Sequence, residues 1–493
     1  MSEFAISYMF RIFWAFFLGL GVASSFRSAW KAETEEMSSF SNRRNDTAVW
    51  LDPIVFPVII VFYLGLCLSV YVIRGSIAYL ANVAVDVFLF VSLYFTLLLL
   101  LLPVLRKYYT ARTCATFWLV PLFLYYQPHM LYSVGTLPPR AVVYIPRTLL
   151  NLVLIVWMAG FGVIFTIQAA SHLSFVRQLK SHSRPVEDTE LLAKWQSMKE
   201  KIELYGPVDL RYCSVIQTPL TVGLRKKNKI TYLPEHRFSE EEAELIFSHE
   251  LHHIQRNDTH TKFFLRFCSA FGWLHPFVWL AVRRAEDDLE LSCDEIVLKD
   301  ADSAKRRKYA ELLLSIAGDS RGYSTCLSAS AKALSYRLKA TAPGRSKRLG
   351  AGLLFLVIFL SCLSVGNLAL ATERETLAEA ADLDEVKIAE AHFYFDADCD
   401  DADYNDADRD AVQLADAEAL SQYLSEQQVE KLLTINDDGY DVSGPRISGR
   451  ISGTEKVFSI SGDYLRIADT ESGEIGQYHM CISPDWEYIG SLL

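Results

Sequence analysis

Three residues in the run SHELHHIQRND have the types and spacing of a metal-dependent hydrolase: His249, Glu250 and His253, in the order H-E-x-x-H. On a helix, positions i and i+4 share a face, so the two imidazoles can address one ion while Glu250 projects toward a water beside it. A catalytic zinc takes three protein ligands and keeps one position open, so two histidines do not complete a site. With eleven histidines in 493 residues, a chance match is a real alternative, and the motif needs partners elsewhere. They occur in PFVWLAVRRAEDDLELSCDEIVL, where Glu290 and Asp294 form E-x-x-x-D on one helical face. Glu290 is the expected third ligand, and Asp294 the carboxylate that orients a ligating imidazole. His252, about 100° around the helix from His253, reads as an exposed or packing residue; His260 and His275 are weaker ligands still.

The elements that must position these residues are legible nearby. Ser239 to Glu242 is a capping box opening the helix EEEAELIFSHELHHIQ, and Pro276 suits the first turn of the second helix. DLRYCSVIQTPLTVGL and KITYLP read as strands, rich in β-branched and aromatic residues. The apolar segment 263–282 has the hydropathy of a membrane crossing. Arg266 and the Gly272–Pro276 break argue against one, as does the need to bring 253 and 290 to one ion.

The chain is 51% hydrophobic, and the excess is concentrated in blocks near the roughly 20 residues that cross hydrocarbon. Six spans are expected, at 4–26, 53–73, 83–105, 113–134, 148–170 and 349–371. The first could instead be a signal peptide, although Arg11 lies within it. Clusters of Lys and Arg at 27–44, 106–112, 177–184 and 345–348 all fall on one side of such a topology, with Arg74, Arg140 and Arg147 opposite. Taking the basic side as cytoplasmic puts both termini outside and residues 174–348 inside. The divisions expected are a membrane domain (1–173), a cytoplasmic domain (174–348), a sixth span (349–371) and an outer module (372–493).

From Thr372 onward there are 29 acidic against 8 basic residues, which disfavours direct nucleic-acid binding by that module. Its stretch Asp396–Asp410 lacks the glycine and glutamate of a calcium-binding EF-hand loop and reads as a solvated acidic loop. AEALSQYLSEQQVEKLL is expected as helix, and KVFSISGDYLRIA and IGQYHMCIS as strands, making a small α+β module. Cys399 and Cys481 are the two cysteines placed where a disulfide could persist.

The runs TPLTVGL, KITYLP, FSEEEAELIFSHELHHIQRND, WLHPFVWLAVRRAEDDLELSCDEIVL and YAELLLSIA, in that order and spacing, resemble the membrane metallopeptidase family of the BlaR/MecR antirepressors, over residues 205–340. The resemblance implies a gluzincin-like zincin with one Zn2+ per chain on His249, His253 and Glu290, and Glu250 as the catalytic glutamate passing a proton from water to the leaving amine. It also implies a cytoplasmic protein substrate, either a DNA-binding repressor or the protein itself. The departure is in the outer module, which has no S-x-x-K; Ser28-Ala-Trp-Lys31 matches that string beside the first span, without its partner motifs. β-Lactam sensing is therefore not expected.

The sequence thus reads as a polytopic α-helical membrane protein of the bacterial cytoplasmic membrane, with a cytoplasmic α+β metallopeptidase domain and an extracellular acidic sensor. A homodimer stays open. Two rival readings are a receptor whose zincin domain is structural and non-catalytic, and a housekeeping protease of the prenyl-protein-processing type.

Overall fold

The computed structural model describes residues 3–34, 52–62, 65, 77–124, 139, 141–202, 204, 206–224, 229–318, 331–341, 347–364, 368–383, 386–394, 411–413, 416–433 and 444–492. The chain begins with α1 (Glu3–Thr34), α2 (Ile77–Tyr108), α3 (Ala111–Phe117), α4 (Pro121–Leu124), β1 (Ala141–Tyr144) and α5 (Arg147–Ser181). Among the described residues, α1, α2 and α5 are long and apolar enough to cross a bilayer. They leave large apolar side chains uncovered, among them Phe13, Phe17, Leu93, Leu100, Ile155 and Ile167. That surface is costly in water and neutral in hydrocarbon.

Two of the expected spans are described only in part. The segment expected to cross at 113–134 forms, in its described part, the short helices α3 and α4. Its Arg112, Thr113 and Thr116 are buried and polar, and Thr110 caps α3 by accepting from the Thr113 N–H. Those groups need protein partners rather than lipid. The block at 53–73 is helical over residues 55–62 and otherwise lies largely outside the described residues.

The next segment carries β2 (Ser183–Pro185), α6 (Thr189–Lys201), β3 (Asp209–Cys213), β4 (Leu220–Val222) and β5 (Ile230–Pro234), then α7 (Glu240–Gln255), α8 (Asp258–Phe271), α9 (Pro276–Val297), α10 (Ser303–Gly318) and α11 (Ala331–Thr341). The four strands form one sheet in the order β2-β3-β5-β4, with β3 and β5 parallel and β4 antiparallel at the edge. The segment 263–282 is a helical corner: α8 ends at Gly272 and α9 starts at Pro276. Its hydropathy has a packing cause. Phe264, Phe267, Phe271, Val278 and Ala281 are buried in one apolar cluster with Val22 and Phe26 of α1 and Val91 and Phe95 of α2.

The expected sixth span is, in its described part, α12 (Ala351–Ser364), a 14-residue apolar helix. By Leu368 the chain is already in β6 (Leu368–Thr376), which runs across the boundary expected at 372. There follow α13 (Leu377–Ala380), β7 (Ile388–Tyr394), β8 (Ala411–Gln413), α14 (Ala417–Ser425), β9 (Gln428–Leu432), β10 (Arg446–Ile451), β11 (Lys456–Ser461), β12 (Tyr464–Asp469), β13 (Ile475–Met480) and α15 (Trp486–Gly490). The helix expected over AEALSQYLSEQQVEKLL stops at Ser425, because Gln428–Leu432 pairs instead between β6 and β13 and buries Val429 and Leu432.

One nine-stranded sheet results, in the order β1-β6-β9-β13-β12-β11-β10-β7-β8. Its first strand comes from the segment between α4 and α5, parallel to β6, and Arg147 at the start of α5 pairs with Glu373 at 2.8 Å. The acidic stretch Asp396–Asp410, with Cys399, lies outside the described residues; Cys481 is exposed.

The corner between α8 and α9 is fastened to α5. Trp157 Nε1 donates to the Phe271 carbonyl at 2.9 Å, and Trp273 Nε1 to the Trp157 carbonyl at 3.1 Å. A Cβ built on Gly160 would overlap the Trp273 indole. Gly160→Val should therefore lower stability by roughly 1–3 kcal/mol, the usual cost of overpacking. Thermal unfolding in detergent reads this, with Gly162→Val, which meets no neighbour, as the comparison.

Candidate metal centre

Helix α7 starts where its capping box closes: the Ser239 hydroxyl accepts from the Glu242 N–H, and the Glu242 carboxylate accepts from the Ser239 N–H at 2.7 Å. With that register fixed, His249, Glu250 and His253 all fall on the buried side of the helix. The helix ends at Arg256, and Asn257 takes a left-handed conformation, φ 54° and ψ 40°, which asparagine tolerates better than most side chains. The chain reverses there. Asp258 is thereby aimed back at His253, and its carboxylate lies 2.7 Å from Nδ1.

Helix α9 brings Glu290 against the two histidines. The three inward atoms form a triangle: His249 Nε2 to His253 Nε2 3.1 Å, His249 Nε2 to Glu290 Oε2 3.3 Å, and His253 Nε2 to Glu290 Oε2 3.6 Å. Tetrahedral ligands with bonds of ~2.0–2.1 Å stand about 3.4 Å apart, so these edges match a zinc-sized ion. The outer nitrogens add a second argument. His253 Nδ1 faces Asp258, and His249 Nδ1 faces Asp294 Oδ1 at 3.3 Å and the Tyr309 hydroxyl at 3.1 Å. If both Nδ1 atoms donate outward, both Nε2 lone pairs face one another at 3.1 Å, an arrangement that a cation between them relieves.

Further groups hold the frame. Tyr309 donates to Asp294 Oδ1 at 2.6 Å, and Arg337 grips both oxygens of Asp294 at 2.7 Å each. Lys262 Nζ donates to Glu290 Oε1 at 3.1 Å, leaving Oε2 on the histidine side. The ion-free groups titrate accordingly. Burial opposes the charged form of His249, but its bonds to Asp294 and Glu290 prevail and raise its pKa to about 9. Burial likewise raises Glu290, but Lys262 and the histidines hold it well below the usual carboxylate range.

Glu250 points into a small cleft beside the triangle, lined also by Pro219, Thr221, Lys229, Asp258, Thr259 and Lys262. The Thr221 hydroxyl of edge strand β4 donates to Glu250 Oε2 at 2.8 Å and contacts Thr231 Oγ1 at 2.9 Å. A carboxylate next to an ion site, fixed by one hydroxyl and open to a cleft, is placed to exchange a proton with water.

The structure thus brings together His249, Glu250, His253, Glu290 and Asp294. His252 lies apart and is buried, its Nδ1 2.6 Å from the Ser248 carbonyl; burial and the nearby Arg256 lower its pKa to about 4. His260 contacts Asp52 at 2.8 Å and the Leu224 carbonyl, and half-buried His275 occupies the N-cap position of α9 without a side-chain capping bond. Sequence reasoning missed Asp258, Lys262, Tyr309 and Arg337. Asp258 stands inside the motif run itself, five residues after His253, and was open to discovery there; the others are set by packing.

The chain matches the BlaR1 peptidase M56 family over residues 60–340. It belongs to that family. It is 30% identical over 182 residues to the regulatory protein BlaR1 of Bacillus licheniformis, covering 37% of this chain and 30% of that protein. It is 24% identical over 169 residues to the methicillin resistance mecR1 protein of Staphylococcus aureus, covering 33% of this chain and 28% of that one. The matched stretch spans less than a third of these relatives. Membership makes this a metallopeptidase-type membrane protein, for which a metal cofactor is expected.

Asp258→Asn and Asp294→Asn should each weaken zinc retention by roughly 10–100-fold, the range for groups that orient ligating histidines; competition with a chromogenic chelator measures it. The His260–Asp52 pair predicts a pH signature. Its hydrogen bond to Asp52 raises the His260 pKa, and His260 in turn lowers that of Asp52 against a larger opposing effect of burial. The histidine contribution is fully present below its unfolded value of about 6.5 and is lost as pH rises through the folded value. His260→Ala should therefore lower the unfolding temperature at pH 5.5 more than at pH 9.

Proposed function

We propose that this chain is a zinc metalloendopeptidase of signal transduction, set in the bacterial cytoplasmic membrane. In this reading a stimulus at its acidic C-terminal module leads to cleavage of a cytoplasmic protein, repressor-like or the chain itself. The observation that carries the proposal is the convergence of the His249 and His253 Nε2 atoms and Glu290 Oε2 beside a cleft into which Glu250 projects.

When bound, a zinc ion would supply Lewis acidity toward a peptide carbonyl and toward water. His249, His253 and Glu290 would hold it. Glu250, oriented by Thr221, accepts a proton from water in the cleft and returns it to the leaving amine. Among the described residues β4 is the edge of its sheet, and its side away from β5 is where an extended substrate can pair as a further strand. Asp258, Asp294, Tyr309 and Arg337 keep the imidazoles from rotating, so the acid–base group and the reacting carbonyl stay in register.

Sidedness is supported by the nine-stranded sheet. β1 precedes α5 and β6 follows α12, so the ends of those helices nearest these strands belong on one side; β2 and the metal site follow the opposite end of α5. Combined with the basic clusters at 177–184 and 345–348, this favours a cytoplasmic peptidase and an external sheet.

The deciding measurement is zinc per chain and fragment formation over time on the purified full chain, wild type against Glu250→Gln. One zinc in both with fragments from wild type alone is expected. Fragments from Glu250→Gln at the wild-type rate would remove Glu250 from the chemistry. Zinc in both proteins, with neither the chain nor any cytoplasmic protein cut after stimulation, would favour the structural receptor.

A further inference from the structure

Beyond the metal centre lies a buried ion cluster that joins it to the first apolar helix. Glu33, in the last turn of α1, is only 7% exposed at its side chain and has both oxygens occupied. Arg256 grips it with Nε to Oε1 at 3.1 Å and an outer nitrogen to Oε2 at 2.9 Å; Arg112 of α3 reaches Oε1 at 2.6 Å. Arg256 is the residue that ends α7, three positions after His253. Its remaining nitrogen donates to Ser292 Oγ at 2.9 Å and contacts Cys293 Sγ at 3.5 Å. Those two residues lie on α9 between Glu290 and Asp294. One guanidinium thus spans the helix carrying both histidines and the helix carrying the glutamate, and one carboxylate from α1 holds that guanidinium in place.

We infer that Glu33 is a positioning residue through which the placement of α1 sets the geometry of the metal centre. The energetics force the link. Arg112 and Arg256 are like charges buried side by side, and Glu33 is the carboxylate whose oxygens bond both guanidiniums; withdrawing it removes their directly bonded counter-charge and leaves only Asp258 and Glu295 nearby, which is strongly unfavourable for buried groups. Arg256 must then move, and the end of α7 and the middle of α9 move with it. Upstream, α1 is packed on α12: Gly19 faces Phe355 closely, and Phe16 meets the same ring edge-on at 5.5 Å. Across three undescribed residues, α12 leads into β6 of the nine-stranded sheet. A displacement of α12 therefore has a close-packed route through α1, Glu33 and Arg256 to His249, His253 and Glu290. The inference rests on the metal-centre reading above, and not on hydrolysis.

The test uses the full chain in detergent, in a Glu250→Gln background so that self-cleavage plays no part. Zinc release to a chelator and the visible spectrum of the cobalt-substituted protein are compared for the parent, Glu33→Gln, Glu33→Asp and Arg147→Gln. Glu33→Gln should release zinc about tenfold faster, the lower end of the range for groups supporting metal ligands, with an altered cobalt spectrum. Glu33→Asp should restore most of both, and Arg147→Gln, which breaks the exposed pair with Glu373, should change neither. Because coupling is reciprocal, stripping zinc from the parent should raise hydrogen exchange over residues 26–34. That second measurement decides the matter even where Glu33→Gln does not fold. Parent-like zinc release and spectrum in folded Glu33→Gln, or unchanged exchange at 26–34 on stripping, would overturn the inference. A parent that binds neither zinc nor cobalt would instead overturn the metal-centre reading, and is seen before any variant is compared.

Discussion

Two imidazole nitrogens held 3.1 Å apart, with a carboxylate oxygen closing the triangle, are the constraint around which the segment from β2 to α11 is organised. Left without an ion, such a cluster is unfavourable: two like imidazole edges face one another, and the groups sit where water cannot solvate them. Each member is therefore tied from behind by a group of suitable charge. Asp258 backs His253, Asp294 and Tyr309 back His249, and Lys262 backs Glu290. Arg337 balances Asp294 in turn. These groups come from α7, α8, α9, α10 and α11, so the site can exist only when all five helices have docked.

That dependence explains what could and could not be read from the sequence. The ligands obey local rules: i and i+4 on a helix opened by a capping box, and a second helix with acids four apart. Such patterns survive in one dimension because helical geometry sets them. Lys262, Tyr309 and Arg337 obey no local rule; they arrive through the angles between helices, which side-chain packing fixes. Asp258 is intermediate. Its placement follows from the left-handed turn at Asn257, a signal visible only as an Asn-Asp pair after a helix.

The apolar segments show the same division. Length and hydropathy together single out α1, α2 and α5 among the described residues, but hydropathy cannot tell a surface facing lipid from one facing protein. The segment 263–282 at the corner of α8 and α9 is apolar because it buries Phe264, Phe267 and Phe271 against α1, α2 and α5. The described part of the block at 113–134 follows Arg112, whose buried guanidinium and backbone N–H bind Glu33 and Glu295. Strand β1 is four residues long in a segment of no periodicity, and it is a strand because β6 is there to pair with it.

Sharing one apolar core has a mechanical consequence. Close-packed interiors do not deform smoothly; they shift between discrete arrangements of rigid elements. In this molecule α8 contributes one face to the core shared with the apolar helices, and from the opposite end it supplies Asp258 and Lys262 to His253 and Glu290 of the candidate site. Helix α9 does likewise, with Val278, Ala281 and Ala285 in the core and Glu290 and Asp294 at the site. A helix is stiff over the 14 or 22 residues involved, so a change in how its apolar end packs must appear at its polar end. A metal centre built on separate loops would be insulated from the apolar helices. This one, whose frame consists of the same helices that fill the shared core, cannot be.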